Sequence, residues 1–324
     1  MAIRGSSKHR GDVTISLAGG LGNQLFQLAF ALYQAQGKRV LLDWSLGNPR
    51  LSHKHHPDIC EFKMPENIVL LQKKKYNCIS IRFSNLILRI ASSPVKNYVL
   101  VSMKNFIQVV ATLGLKVSAL KSEKIISPNG LGFDPQLKRI EVEQFCVGYF
   151  QTYKWASQTQ IFEVLSSLRV VENSAWLKEL ESLAKFEKPI ILHLRIGDYE
   201  NEIKFGRPTI IFYETAILEL WNTGIHKAIW IFSDSPEKAK EILPDWILDS
   251  ARWISNDKNS AALTLEAMRH GFAYVISNST FSWWGAFLTY NQGARVIAPT
   301  PWFRSLTEPL EMLPPHWVRK PSGQ

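Results

Sequence analysis

Cysteine is scarce in this chain, and one long stretch of it has no acidic residue at all. Three cysteines occur in 324 residues, Cys60, Cys78 and Cys146, with no C-x-x-C pair and no His/Cys cluster of zinc-ligand spacing. That excludes a disulfide scaffold and leads us to expect reduced thiols in a cytoplasmic protein. No D-x-D pair occurs either, so a bridging divalent metal has no obvious carboxylate seat and none is expected. Uncharged apolar runs of about 18 residues are missing, so no helix of the usual kind should span a membrane. Met1 to Asp12 is polar and basic without an apolar core, so no secretory signal is expected there. Internal repeats and low-complexity tracts are also missing. A hydrophobic content of 46% with 20% charged residues is that of a folded chain, long enough for two substantial cores.

The missing acids fall between Asn67 and Ser122, where nine cations stand: Lys73, Lys74, Lys75, Arg82, Arg89, Lys96, Lys104, Lys116 and Lys121. The formal net charge of the whole chain is +10. The same segment carries apolar runs at Leu86 to Ile90 and Tyr98 to Val101. Cations mixed with apolar residues suit an anionic bilayer surface or an anionic lipid-linked substrate. Nucleic acid is not expected, since no helix-turn-helix, zinc-finger or RNA-binding signature accompanies the charge. A solvated basic face is the plain alternative.

What is present alternates strands with helices. Val13 to Leu17 reads as a strand, followed by the glycine loop Gly19 to Gln24 and a helix from Leu25, with Leu28, Ala29 and Leu32 at helical spacing. Lys38 to Trp44 reads as a second strand. Further on, a helix is predicted at Glu172 to Phe186 and a strand at Pro189 to Leu192. Tyr213 to Leu220 reads as a helix body after Pro208, and Lys227 to Ser233 as a strand with Pro236 opening a short helix. Ala261 to His270 and Phe281 to Tyr290 read as helices, Phe272 to Ile276 and Ala294 to Ala298 as strands. Such alternation predicts parallel sheets in two α/β domains facing each other across a cleft.

Polar groups gather where the predicted strands end. His193-Leu194-Arg195-Ile196-Gly197-Asp198-Tyr199 follows an apolar run, at the end of the strand where open α/β sheets bind ligands. Arg195 keeps its charge and offers a planar fork of donors suited to phosphate. A structural Arg195–Asp198 ion pair with His193 as a core histidine is the bland reading of the same residues. Ser277 to Gly285 ends a strand and opens a helix, so backbone N–H groups and the hydroxyls of Ser279, Thr280 and Ser282 converge as an anion site. Simple capping needs only one of those hydroxyls. Asp234, in Phe232 to Pro236, could accept from a guanine edge or a ribose, or cap the next helix. In the first glycine loop the spacing from Gly20 is G-x-G-x-x-L, with Leu25 where the dinucleotide fingerprint has a small residue. Asp43 stands about where a ribose ligand belongs, which keeps a nicotinamide cofactor open. Asn23 and Gln24 could instead present amides to sugar hydroxyls.

The combination resembles glycosyltransferase family 11, the inverting α-1,2-fucosyltransferases, in its bacterial branch. The matching blocks are Gly19 to Gln34, Gly148 to Trp155, the segment from His193 to Tyr199, Phe232 to Ser235 and Ser277 to Leu288. The resemblance implies a GT-B-like fold with two Rossmann-like domains, GDP-β-L-fucose as donor and no metal or other cofactor. It makes Arg195 the grip on the diphosphate, with His193 beside the nucleotide. Asp234 becomes a guanine or ribose contact, Ser279, Thr280 and Ser282 phosphate or fucose contacts, and Asn23 a residue near the sugar. The family's usual second arginine is Ile196 here.

The expected enzyme is a galactoside 2-α-L-fucosyltransferase acting on a surface glycan, such as a lipopolysaccharide, or on an oligosaccharide. Residues 1–160 form its acceptor-side domain and 161–324 its GDP-fucose-binding domain. Asp198 is the expected base, with Glu200 and Glu202 behind it. The expected location is cytoplasmic, peripheral on the inner face of an anionic membrane, with a lipid-linked acceptor as partner. The competing readings are an NAD(P)-linked oxidoreductase and a non-catalytic protein that binds anionic polymer or membrane.

Overall fold

A computed structural model describes residues 11–46, 56–72, 76–93, 98–119, 123–197, 203–255, 258 and 260–324, with backbone alone at 98–100 and 119. The chain divides into two compact units, Met1–Val171 with Thr307–Met312, and Glu172–Leu306 with Leu313–Gln324.

The first unit contains β1 (Val13–Ser16), α1 (Leu21–Ala35), β2 (Val40–Asp43), β3 (Phe62–Lys63), β4 (Ile68–Leu70), α2 (Cys78–Ala91), α3 (Tyr98–Ala119), β5 (Lys124–Ile126), β6 (Gln144–Cys146), α4 (Tyr153–Ala156), α5 (Thr159–Ser167) and β7 (Arg169–Val170). Its main sheet is parallel, in the order β4-β2-β1-β6-β5, and β3 pairs antiparallel with β7. β1, β2 and β6 are buried along their whole length, as parallel strands covered on both faces must be. α2 and α3 lie antiparallel, with Ser80 Oγ 3.0 Å from Ser118 Oγ and the Phe83 ring packed where Gly114 has no Cβ. Residue 160 lies inside α5, and the chain leaves this unit only after β7. It returns at Thr307–Met312, where Glu311 O accepts from Thr152 Oγ1 at 2.6 Å and Tyr153 N at 3.0 Å.

The second unit contains α6 (Ala175–Glu187), β8 (Ile190–Leu194), α7 (Ile210–Asn222), β9 (Ile229–Ser233), α8 (Pro236–Ile242), α9 (Asp245–Leu248), β10 (Ala251–Trp253), α10 (Ala261–Met268), β11 (Ala273–Val275), α11 (Thr280–Phe287), β12 (Arg295–Thr300) and β13 (Val318–Pro321). Six strands form one parallel sheet in the order β10-β9-β8-β11-β12-β13. Ser174 and Ser260 cap α6 and α10, each accepting from a backbone N–H in the first turn. The core under α7 joins Leu192, Leu194, Ile196, Phe212, Ile217 and Ile231, all nearly inaccessible. The GT-B-like fold class holds, as two α/β units each built on a parallel sheet. Among the described residues no helix is long and apolar enough to cross a membrane.

Candidate active site

In the second unit the chain moves outward from β8 through β9 to β10, then resumes on the other side of β8 with β11, β12 and β13. β8 and β11 therefore flank a topological switch point, where connections diverge and leave a crevice at the carboxyl ends of the strands. His193, near the end of β8, and Ser277, just past β11, meet there with Nδ1 and Oγ 2.8 Å apart. His193 is buried, and burial together with the nearby Arg195 charge pushes its pKa down to about 3. It is a neutral imidazole at working pH, able to orient a ligand through hydrogen bonds but not to balance a phosphate.

Charge comes from Arg195, which follows β8 and is about one-third exposed. Its Nε lies 3.3 Å from Asp234 Oδ2, just past the end of the neighbouring β9. The same carboxylate accepts from Ile196 N at 2.8 Å and Gly197 N at 3.1 Å. Asp234 thus ties the strand-end loop and the arginine to one point. A Cβ on residue 197 would stand 3.1 Å from Oδ2, so glycine lets the backbone come this close. Ile196, at the family's second arginine position, is 2% exposed in the apolar core, where an arginine would carry an unpaired charge.

The hydroxyls expected to crowd one anion site divide their duties. Ser279 caps α11, its Oγ accepting from Phe281 N at 3.3 Å. Ser282 is fully buried, its Oγ donating back to Ser279 O at 3.2 Å. Thr280 is the first helical residue and is half-buried. Asn278 donates from Nδ2 to Phe205 O at 3.2 Å and Gly206 O at 3.1 Å, fixing the segment before Arg207 against this strand end. Trp283 and Trp284 are core residues.

The first unit repeats the arrangement at its own switch point, between β1 and β6. Gly19, with φ of 75°, turns the chain after β1, and α1 begins at Leu21, so Asn23 and Gln24 are helical residues and not loop. Gln24 is corrected as a sugar-binding amide: its Nε2 donates to Gly19 O and its Oε1 accepts from Ile59 N, both at 2.9 Å. Asn23 is half-buried, its Oδ1 accepting from Gln151 Nε2 at 2.9 Å. Gln151 follows Phe150, a buried aromatic held at φ of 54°, a left-handed conformation that costs energy for a bulky residue. Asp43 is also corrected. It is fully buried, and its carboxylate accepts from Ser45 N at 2.8 Å and Tyr76 Oη at 2.9 Å, so it serves the fold and not a ribose. The dinucleotide reading loses its acidic ligand with it.

Asp198, Glu200 and Glu202 lie outside the described residues. Ser277, Asn278 and Gln151 are the site residues that residue type alone did not mark, although each stands inside a motif block. Among the described residues no group of three His, Cys, Asp or Glu side chains could hold a metal ion.

Known proteins give this geometry a family. The chain is 26% identical over 316 residues to an alpha-1,2-colitosyltransferase of Escherichia coli, covering 95% of this chain and 98% of that one. It is 29% identical over 119 residues to the O-antigen biosynthesis glycosyltransferase WbnK of Escherichia coli, covering 35% and 38%. Among solved structures, the fucosyltransferase NodZ from Bradyrhizobium aligns with a TM-score of 0.50 at 12% identity, covering 93% of this chain and 98% of that one, a likeness of fold. The family model for glycosyl transferase family 11 matches residues 12–318, and the chain belongs to that family of glycosyltransferases.

Proposed function

We propose that this chain is an inverting, metal-independent α-1,2-fucosyltransferase of the cytoplasm, taking L-fucose from GDP-β-L-fucose to a galactoside-type acceptor on a surface glycan or oligosaccharide. The observation that carries the reading is the switch point of the second unit, where Arg195, held by Asp234, stands with neutral His193, Ser277 and the amino end of α11. A fixed guanidinium and a helix N-terminus are what a departing diphosphate requires. The acceptor oxygen attacks fucose C1, the C1–O bond to the diphosphate breaks in line, and GDP leaves with the electron pair. A carboxylate takes the acceptor's proton. Asp198, next in sequence to Gly197, is the base we assign. Ser279 and Thr280 fit contacts at the phosphates, Ser282 supports them from within the helix, and Asn23 serves the sugar side.

A second donor is favoured by one finding, the similarity to a colitosyltransferase over nearly the whole chain. Colitose is fucose without the C3 hydroxyl, so the two donors differ by one polar group. A pocket that hydrogen-bonds that hydroxyl rejects the deoxy sugar by about 10⁴-fold, whereas an apolar wall passes both within roughly 10²-fold. Turnover of GDP-fucose and GDP-colitose with a galactoside in EDTA, with the product linkage read by NMR, tests the reading. We expect α-1,2-fucoside from GDP-fucose and a lower kcat/KM for GDP-colitose. Transfer of colitose alone, or another linkage, contradicts it.

A further inference from the structure

Helix α3 is apolar on two opposite sides. Ala111 and Leu115 turn inward and pack with Leu46, Ile87, Phe145 and Val147. On the far side Met103, Phe106, Val110, Leu113 and Val117 recur at alternating spacings of three and four, and all are exposed, Phe106 at 70% and Val117 at 74%. A helix with an apolar stripe on its solvent side has a second face that awaits a neighbour, and a contiguous exposed stripe marks an interaction surface. The partner helix α2 buries Ser84, Leu88 and Ala91 and presents Ile79, Arg82 and Arg89 outward. Lys116 is exposed beside the stripe on α3.

Charge decides among occupants. From Asn67 to Ser122 the chain has no acid, so a second copy laid on this face would set Arg82, Arg89 and Lys116 against their own kind. A soluble anion would answer the cations and leave Phe106, Leu113 and Val117 in water. An anionic bilayer supplies phosphate and hydrocarbon together, in the layered order this face presents.

We propose that the outward face of the α2–α3 pair docks on an anionic lipid surface, with the α3 stripe at the headgroup–acyl boundary and Arg82, Arg89 and Lys116 among the phosphates. The helix lies on the bilayer and does not cross it. This inference is independent of the donor reading, since vesicle binding needs neither nucleotide nor turnover.

Flotation of the full chain with vesicles of phosphatidylcholine, alone or mixed with phosphatidylglycerol, tests it. We expect binding to mixed vesicles only, weakening as salt rises from ~0.1 to ~0.5 M. The pair Phe106→Ser with Leu113→Ser should lower that binding at least about tenfold. Arg82→Ser with Arg89→Ser should erase the preference for anionic lipid. Both variants should keep the wild-type circular dichroism spectrum and turnover on a soluble acceptor. No flotation of wild type with mixed vesicles overturns the proposal without reference to any variant, and so does equal binding to neutral vesicles. A lipid-free dimer that Phe106→Ser with Leu113→Ser dissolves would give the face to a second copy and overturn it too.

Discussion

At Asp234 one carboxylate accepts from two backbone N–H groups and pairs with the Arg195 guanidinium, so the residue expected to contact the nucleotide also holds the arginine proposed to grip the diphosphate. Its neighbour His193 allows a test of burial. The folded histidine titrates near 3 and an unfolded one near 6.5. Between those values the unfolded chain binds a proton that the folded chain refuses. Stability from this site is therefore complete above pH 6.5 and is lost as pH falls towards 3. Urea midpoints at several pH values for wild type and His193→Gln should show the wild type losing more stability on acidification. The difference should approach about 1.4 kcal/mol per pH unit in the steepest part of the window. Parallel curves would contradict the burial. His270, also depressed by burial, leaves some slope in the variant. The places of Arg195, His193 and Asp234 at strand ends were readable because an apolar run meeting polar residues marks where a strand stops. Ser277 as the partner of His193 was not, since the two are 84 residues apart and meet only because β11 lies beside β8.

Among the elements, α1 shows how a family motif serves the fold. Gln27 is fully buried on it, its Oε1 accepting from Ala18 N and its Nε2 donating to Gly148 O, both at 3.0 Å. It clamps the turns after β1 and β6 across their switch point. Gln27→Ala leaves a donor and an acceptor buried without partners, and we expect a loss on the order of 3 kcal/mol in chemical denaturation. A loss under about 0.5 kcal/mol would mean that water or neighbouring groups replace the clamp. Helical spacing was legible only from Leu25, because Gly20 caps the helix without a side chain and Gly22 and Asn23 are weak helix formers. α2 and α3 were hidden for a different reason. Apolar residues on two opposite sides of α3 blur the helical period that a one-sided helix displays.

For the whole molecule, each unit places its motif blocks at its own switch point, Gly19 to Gln34 with Gly148 to Trp155 in one and His193 to Gly197 with Ser277 to Leu288 in the other. The α/β class was readable from alternation, but the strand orders were not, because short parallel strands carry no mark of their neighbours. Nor was the return of Thr307–Met312 to the first unit, which rests on backbone contacts such as that of Phe133 N with Leu310 O at 2.8 Å. If the strand ends of the second unit form the donor pocket with Arg195 as its charge, binding of GDP depends on that side chain. Calorimetric titration of GDP into the full chain and into Arg195→Ala, both in EDTA, tests it most directly. We expect micromolar binding to wild type and at least about tenfold weaker binding to the variant, as loss of a charge-assisted phosphate contact requires. Equal binding to both proteins, or none to wild type, would contradict it.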